Sequence, residues 1–186
     1  MKITPQLVEN VYDKADCLYT HEQVDTAITQ LADQITQTLH DTNPIILCVM
    51  TGGVVVASEL LLKLHFPLQL DYIHATRYGD ETSGNELKWL VSPRQPLGGR
   101  NVLVVDDILD EGYTLQAIIK YCKSCGVADV KSAVLVDKQH DRRGGLAAAD
   151  FYALKVPDRY VFGFGMDYKG YLRNVPGIYA AQKEHE

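Results

Sequence analysis

The segment Val102–Leu115, VLVVDDILDEGYTL, constrains this chain more than any other. Four consecutive apolar residues, Val102–Val105, are the run expected of a strand buried on both faces. The strand is expected to span Val102–Asp106 and to deliver two adjacent carboxylates, Asp106 and Asp107. A short acidic loop then reaches Gly112, and a helix is expected from about Thr114 to Ser124. Its apolar residues Leu115, Ile118, Ile119 and Cys122 fall on one face. A strand that hides both faces needs helices above and below it, so the segment points to an α/β fold with a mostly parallel central sheet.

The rest of the chain repeats that alternation. Residues 21–40 carry Val24, Ile28, Leu31, Ile35 and Leu39 at helical spacing, and Asn43-Pro44 stops the helix. Ile45–Met50 is a second buried strand, followed at once by Thr51-Gly52-Gly53 and a helix over Val54–His65. Strands are expected at Leu68–Thr76, Leu87–Val91 and Lys131–Asp137, with shorter ones at Phe151–Leu154 and Tyr160–Gly163. Arg77–Glu86 and the charged stretch His140–Gly145 are expected as loops. The first 20 residues have weak periodicity and are expected to form a small lid, and the tail from Tyr168 is expected to be irregular. One domain spans 1–186 in this account, with a core of about 21–155 and a hood from about 1–20 and 156–186. In such sheets ligands bind beyond the C-terminal ends of the strands, so the loops after Met50, Asp106 and Asp137 should share one crevice.

Charge and cysteine content narrow the classes. A formal net charge of −6 disfavours a broad nucleic-acid or anionic-membrane footprint. The longest apolar runs fall far short of the roughly 20 residues that span a bilayer, and the N-terminus shows no signal-peptide core. A cytoplasmic protein is expected, with no nucleic-acid or membrane partner. Cys122 and Cys125 form a C-x-x-C, but at the end of a helix rather than its N-terminus, and Cys122 lies on the apolar face. A packing role is therefore expected for it rather than redox chemistry or zinc binding.

The chemistry concentrates where strand meets helix. Turn amides and a helix N-terminus favour a phosphate, and Gly112 permits both a positive φ and close backbone approach. The Thr114 hydroxyl is suited to cap the helix or to donate to a phosphate oxygen. Two carboxylates beside a phosphate make sense if that phosphate belongs to a sugar whose hydroxyls need acceptors, reached directly or through a metal. No Gly-Lys-Ser/Thr is present, so the loop is not a Walker P-loop.

In that register, D-D-I-L-D-E-G-Y-T after an apolar strand resembles the phosphoribosyl diphosphate signature of type I phosphoribosyltransferases. Met50–Gly53 resembles the family's diphosphate loop, and Arg77–Lys88 its mobile closing loop. Val136-Asp137-Lys138 resembles the strand end that offers a base-reading lysine. Val156–Arg173, VPDRYVFGFGMDYKGYLR, resembles the purine pocket of the hypoxanthine-guanine enzymes, and together these segments cover most of residues 45–175. The chain departs from the family pattern at Thr51, often lysine, at Asp106, often glutamate, and at the bulky Tyr113.

The resemblance implies roles. Asp106 and Asp107 would hold the ribose hydroxyls and share in magnesium binding. Asp110 would be the general base or acid at purine N7, and Asp110, Glu111, Gly112, Tyr113 and Thr114 would cradle the 5′-phosphate. Thr51, Gly52, Gly53 and Arg173 would hold the diphosphate. Lys138 would donate to the purine 6-oxo group, Tyr160 would stack on the base, and Val161 would read its edge through main-chain atoms. Asp167 would border the base and bind a second magnesium. The implied substrates are phosphoribosyl diphosphate and hypoxanthine or guanine, with Mg2+ as cofactor and a homodimer or homotetramer as assembly.

Three other readings compete. A xanthine-preferring transferase would use the same pocket. A nucleotide-sensing RNA-binding regulator would use the same fold, against the acidic charge balance. An aspartate-based phosphatase would place Asp-x-Asp directly after the strand, whereas the spacing here is Asp107-x-x-Asp110. His140, in KQHDRR, is expected to be a solvated loop residue without a role.

Overall fold

The computed structural model of the protein describes residues 3–77, 87–142 and 144–185. Helix α1 (Pro5–Lys14) begins behind the N-cap Thr4, with a proline in its first turn, and leads into strand β1 (Asp16–Tyr19). The long helix α2 (His21–Leu39) starts at a full capping box. The Thr20 hydroxyl accepts from the Gln23 backbone N–H, and the Gln23 side chain accepts from the Thr20 N–H. Its buried face carries Val24, Ala27, Ile28, Leu31, Ala32, Ile35 and Leu39, the three- and four-residue spacing of a core-facing stripe.

Strand β2 (Ile45–Met50), helix α3 (Gly53–Leu61), strands β3 (Gln69–Arg77), β4 (Leu87–Val91) and β5 (Asn101–Leu109), helix α4 (Tyr113–Ser124) and strands β6 (Asp129–Gln139) and β7 (Phe151–Pro157) follow. They build a six-stranded sheet in the order β4-β3-β2-β5-β6-β7. Every pairing is parallel except β3 with the edge strand β4. One face packs on α2 and α3 through Ile46, Cys48, Leu103, Val105 and Leu135. The other packs on α4, where Leu115, Ile118 and Cys122 meet Ile45, Leu47, Val102, Val104 and Val134. The central strands are thus buried on both sides, which explains why they read as continuous apolar runs, and each such Leu or Ile contributes about 1.5–3 kcal/mol by leaving water.

The chain ends form a second, three-stranded antiparallel sheet in the order β1-β9-β8, from β1, β8 (Val161–Phe162) and β9 (Ile178–Ala180). Its small core is Val11, Phe162, Tyr168 and Ala181. A 3-10 turn at Lys183–His185 closes the chain, with Tyr168 Oη donating to the His185 carbonyl at 2.9 Å.

Several boundaries differ from the sequence expectation. β5 runs on to Leu109, because Ile108 and Leu109 pair with Val136 and Asp137, so Asp106 and Asp107 sit inside the strand and not at its exit. β6 likewise extends through Lys138. The lid expected from residues 1–20 holds a capped helix and a strand, and the tail expected to be irregular contributes β9. Gly112, not Thr114, is the N-cap of α4. Of the segment Arg77–Lys88, expected as a mobile loop, Arg77 ends β3 and Leu87 and Lys88 begin β4, while 78–86 lie outside the described residues.

All four cysteines are free, and Cys48 and Cys122 are buried. Burial pushes both thiols up to about 11, and Cys122 packs beneath α4 in the core. Among the described residues no helix is long and apolar enough to cross a membrane.

Candidate active site at the ends of the central strands

Two buried carboxylates define the centre of the site. Asp106 and Asp107 are 8% and 9% exposed, with the Asp106 carboxylate accepting from the Asp107 backbone N–H at 2.9 Å. Burial, and for Asp106 the charge of its neighbour, raises both carboxyls above the ordinary range, while the Arg173 guanidinium pulls the other way. The pair is therefore short of positive charge.

Two separate segments converge on it. After β2 the chain turns through a cis Met50–Thr51 peptide into Gly52 and Gly53 at the start of α3. A Cβ on Gly52 would overlap the Asp107 carboxylate, so only glycine brings this backbone so close to the acid pair. Gly165 in turn abuts the Gly52 carbonyl. Arg173 ties this second segment in: it donates to the Gly165 carbonyl at 2.5 Å, pairs with Asp167 at 2.5 Å and approaches Asp107 at 3.7 Å. Asp167 is further fixed by accepting from the Gly170 N–H at 2.7 Å. Thr51, Gly52, Gly53, Asp107, Asp167 and Arg173 therefore form one wall.

On the opposite side Asp106–Gly112, Thr114 and Leu115 line a cavity of about 190 Å3 at the N-terminus of α4. Gly112 has φ 82 and contacts the backbone of Leu146, a position where a side chain would be both strained and obstructed. The loop after β6 braces this turn through Gly145 N–H to the Glu111 carbonyl and Leu146 N–H to the Gly112 carbonyl, both at 3.0 Å. Tyr113 lies over Gly144, where a Cβ would strike its hydroxyl. Gly144 thus accommodates the bulky side chain at 113, and Gly145 the close approach of the Gly112–Tyr113 backbone.

A neighbouring cavity of about 340 Å3 is lined by Asp107, Ile108, Asp110, Lys138, Tyr160, Val161, Met166 and Asp167. Lys138, 9% exposed, donates to Asp110 Oδ2 at 3.1 Å and lies 3.7 Å from Asp158. Tyr160 stands edge-on to Tyr168 with ring centroids 5.3 Å apart, and Val161 is on β8, an edge strand of the small sheet. Every residue expected at the base pocket thus meets in one place, together with the acid Asp110 that both cavities share.

Among the described residues no cluster of three or more His, Cys, Asp or Glu side chains forms an all-protein metal cage. Asp106, Asp107 and Asp167 therefore do not enclose a cation by themselves. Magnesium, however, is commonly held by one or two carboxylates with substrate oxygens completing the shell. The charge-poor, buried pair suits that mode, and Asp167 is engaged by Arg173.

His140, expected to be a solvated loop residue, is instead buried against Asp110. The His140 side chain is 2% exposed and its Nε2 lies 2.6 Å from Asp110 Oδ1. A single histidine in a charged stretch carries no spacing signal. The glycine pair at 144 and 145 was the available hint that this loop approaches another backbone.

The chain is similar to known proteins over most of its length. The phosphoribosyl transferase domain model matches residues 14–169. A hypoxanthine-guanine-xanthine phosphoribosyltransferase of Tritrichomonas foetus is 32% identical over 161 residues, covering 87% of this chain and 88% of that protein. A hypoxanthine-guanine phosphoribosyltransferase of Bacillus subtilis (strain 168) is 29% identical over 168 residues, covering 90% and 93%. A solved hypoxanthine-guanine phosphoribosyltransferase of Bacillus anthracis superposes with a TM-score of 0.82 at 28% identity, covering 90% of this chain and 98% of that one.

Proposed function

The chain belongs to the phosphoribosyltransferase family, and from that premise we propose that it transfers the 5-phosphoribosyl group of phosphoribosyl diphosphate to N9 of hypoxanthine or guanine, releasing diphosphate. The observation that carries the choice of base is Lys138, a buried cation aimed into the cavity that also holds Tyr160 and Val161. Its ammonium only donates, so it pairs with a 6-oxo group and is left unmatched by the 6-amino group of adenine.

The remaining residues take roles along the reaction coordinate. The 5′-phosphate sits in the turn from Asp110 to Thr114, at the N-terminus of α4. Asp106 and Asp107 accept from the ribose hydroxyls and offset the positive charge that develops on the ribose as the anomeric bond to diphosphate breaks. The Thr51–Gly53 amides and Arg173 hold the departing diphosphate. N9 of the base forms the new bond to the anomeric carbon, and Asp110 takes the proton from N7, so the purine leaves as a neutral nucleotide base. Asp106, Asp107 and, once released from Arg173, Asp167 would hold magnesium together with substrate oxygens, and the ion would supply charge that neutralises the diphosphate. Val54, Leu70 and Tyr72 are 43%, 53% and 42% exposed around a cavity of about 710 Å3 beside β2 and α3, an apolar face suited to a homodimer or homotetramer contact. The activity is a step of purine salvage, and a cytoplasmic location belongs to the same proposal.

The site assignment is tested at Asp110. Asp110→Asn keeps the shape of the side chain but is no base, so turnover should fall about 100-fold or more while product nucleotide still binds. Wild-type turnover in that variant would remove Asp110 from the mechanism.

A further inference from the structure

We propose that His140 is the positioning residue for Asp110, holding one carboxylate oxygen so that the other faces the purine N7; this rests on the reading of Asp110 as the proton acceptor. The imidazole is fixed at both nitrogens. The Arg142 backbone N–H donates to Nδ1 at 3.0 Å. A ring nitrogen that accepts a hydrogen bond carries no proton, so this contact places the ring N–H on Nε2. That N–H donates to Asp110 Oδ1 at 2.6 Å.

The two oxygens of Asp110 are consequently unlike. Oδ1 is tied to an almost fully buried ring whose tautomer the backbone sets. Oδ2 is tied to Lys138, at 3.1 Å. Lys138 is the group that a 6-oxopurine recruits, and it has a long flexible stem. When it turns to the 6-oxo oxygen, Oδ2 is vacated beside the base and remains oriented, because the bond from His140 does not have to break.

The charged groups around this arrangement act on the same design. Arg142 approaches Asp110 Oδ1 at 3.9 Å but is committed to Asp158 by two bonds of 2.7 and 2.8 Å. Asp158 also lies 3.7 Å from Lys138, offering that ammonium a second acceptor. The loop that carries His140 is the same one that braces the phosphate turn through Gly145 and Leu146. A single segment therefore fixes both the proton acceptor and the phosphate cradle relative to each other.

A positioning role predicts a particular kinetic split. His140→Leu removes the donor and keeps an apolar filling. Its kcat should drop at least about 10-fold, since small displacements of a reacting group cost up to about 100-fold, while KM for hypoxanthine moves less than about threefold. His140→Gln, whose amide nitrogen can reach a similar position, should restore kcat to within about threefold of wild type. In an Asp110→Asn background, His140→Leu should cause no further loss. Thermal melting of each variant checks that the fold persists. Wild-type kcat in His140→Leu alongside a dead Asp110→Asn would overturn the inference and leave Asp110 in place. So would failure of His140→Gln to rescue a folded protein, or an additional loss in the Asp110→Asn background. Full activity of Asp110→Asn would instead overturn the reading on which the inference stands.

Discussion

Lys138→Ala separates recognition from folding more cleanly than any other substitution in this site. The ammonium sits with its side chain 11% exposed, 3.1 Å from Asp110 and 3.7 Å from Asp158. Removing it deprives a bound 6-oxopurine of a charge-assisted hydrogen bond, worth about 1.5–3 kcal/mol. At about 1.4 kcal/mol per factor of ten, kcat/KM for hypoxanthine should fall by about 10- to 150-fold. Adenine has no acceptor at that position and loses nothing comparable, so the hypoxanthine-to-adenine preference should shrink by about the same factor. The protein should still fold. Asp110 keeps His140 and Asp158 keeps its two bonds from Arg142, so neither carboxylate loses its last partner, and the stability cost should be about 1.5–3 kcal/mol, that of one charge-assisted hydrogen bond. The assay is steady-state kcat/KM for each base at saturating phosphoribosyl diphosphate, with a urea titration of the same preparation. An unchanged preference in a folded variant would refute the assignment of Lys138 to the 6-oxo group.

Gly52→Ala should abolish turnover while leaving the molecule folded, because the new Cβ overlaps the Asp107 carboxylate at the centre of the site; measurable wild-type kcat would show that the loop does not need this close approach. Asp71→Ala should lower the melting temperature by roughly 3–9 °C without changing kcat. Its carboxylate accepts from the Arg94 and Gln95 N–H groups at 2.7 Å and pins the linker before β5, and it lines neither of the two cavities of the site. Alkylation at pH 8 should modify the exposed Cys17 and spare Cys48 and Cys122 in the native protein. Their thiols are raised to about 11, so the reactive thiolate is roughly a thousandth of the total at that pH and rises only as pH approaches 11; rapid loss of either buried thiol, read by mass spectrometry, would contradict the packing.

The parallel sheet was legible because burial on both faces leaves an unmistakable mark: Ile45–Met50 and Val102–Val105 have nothing polar in them. The same rule hid the true end of β5. Asp106 and Asp107 interrupt the apolar run, yet pairing of Ile108 with Val136 keeps the backbone extended beyond them. The hood was the least legible part. β9 has three residues and β8 two, and their pairings join residues far apart in the chain. Nothing local to Ile178–Ala180 distinguishes it from a coil. By contrast, α2 is legible in its apolar spacing, and local start signals mark both helices, Thr4-Pro5 for α1 and the Thr20/Gln23 capping box for α2. At the site, the acid pair, the phosphate turn and Lys138 stood out because their chemistry depends on residue type at fixed spacing. His140 meets Asp110, thirty positions earlier in the chain, through a contact made across a loop, and such a contact leaves no periodic trace.

The most direct test offers hypoxanthine, guanine, xanthine and adenine in parallel to the purified protein with phosphoribosyl diphosphate and magnesium, following nucleotide formation by absorbance. Formation of IMP or GMP, with adenine far behind, is the predicted result, and the rates would rank xanthine against the other two. No nucleotide from any base, in a preparation that still binds product nucleotide, would contradict phosphoribosyl transfer and turn attention to a nucleotide-sensing role for the same pocket.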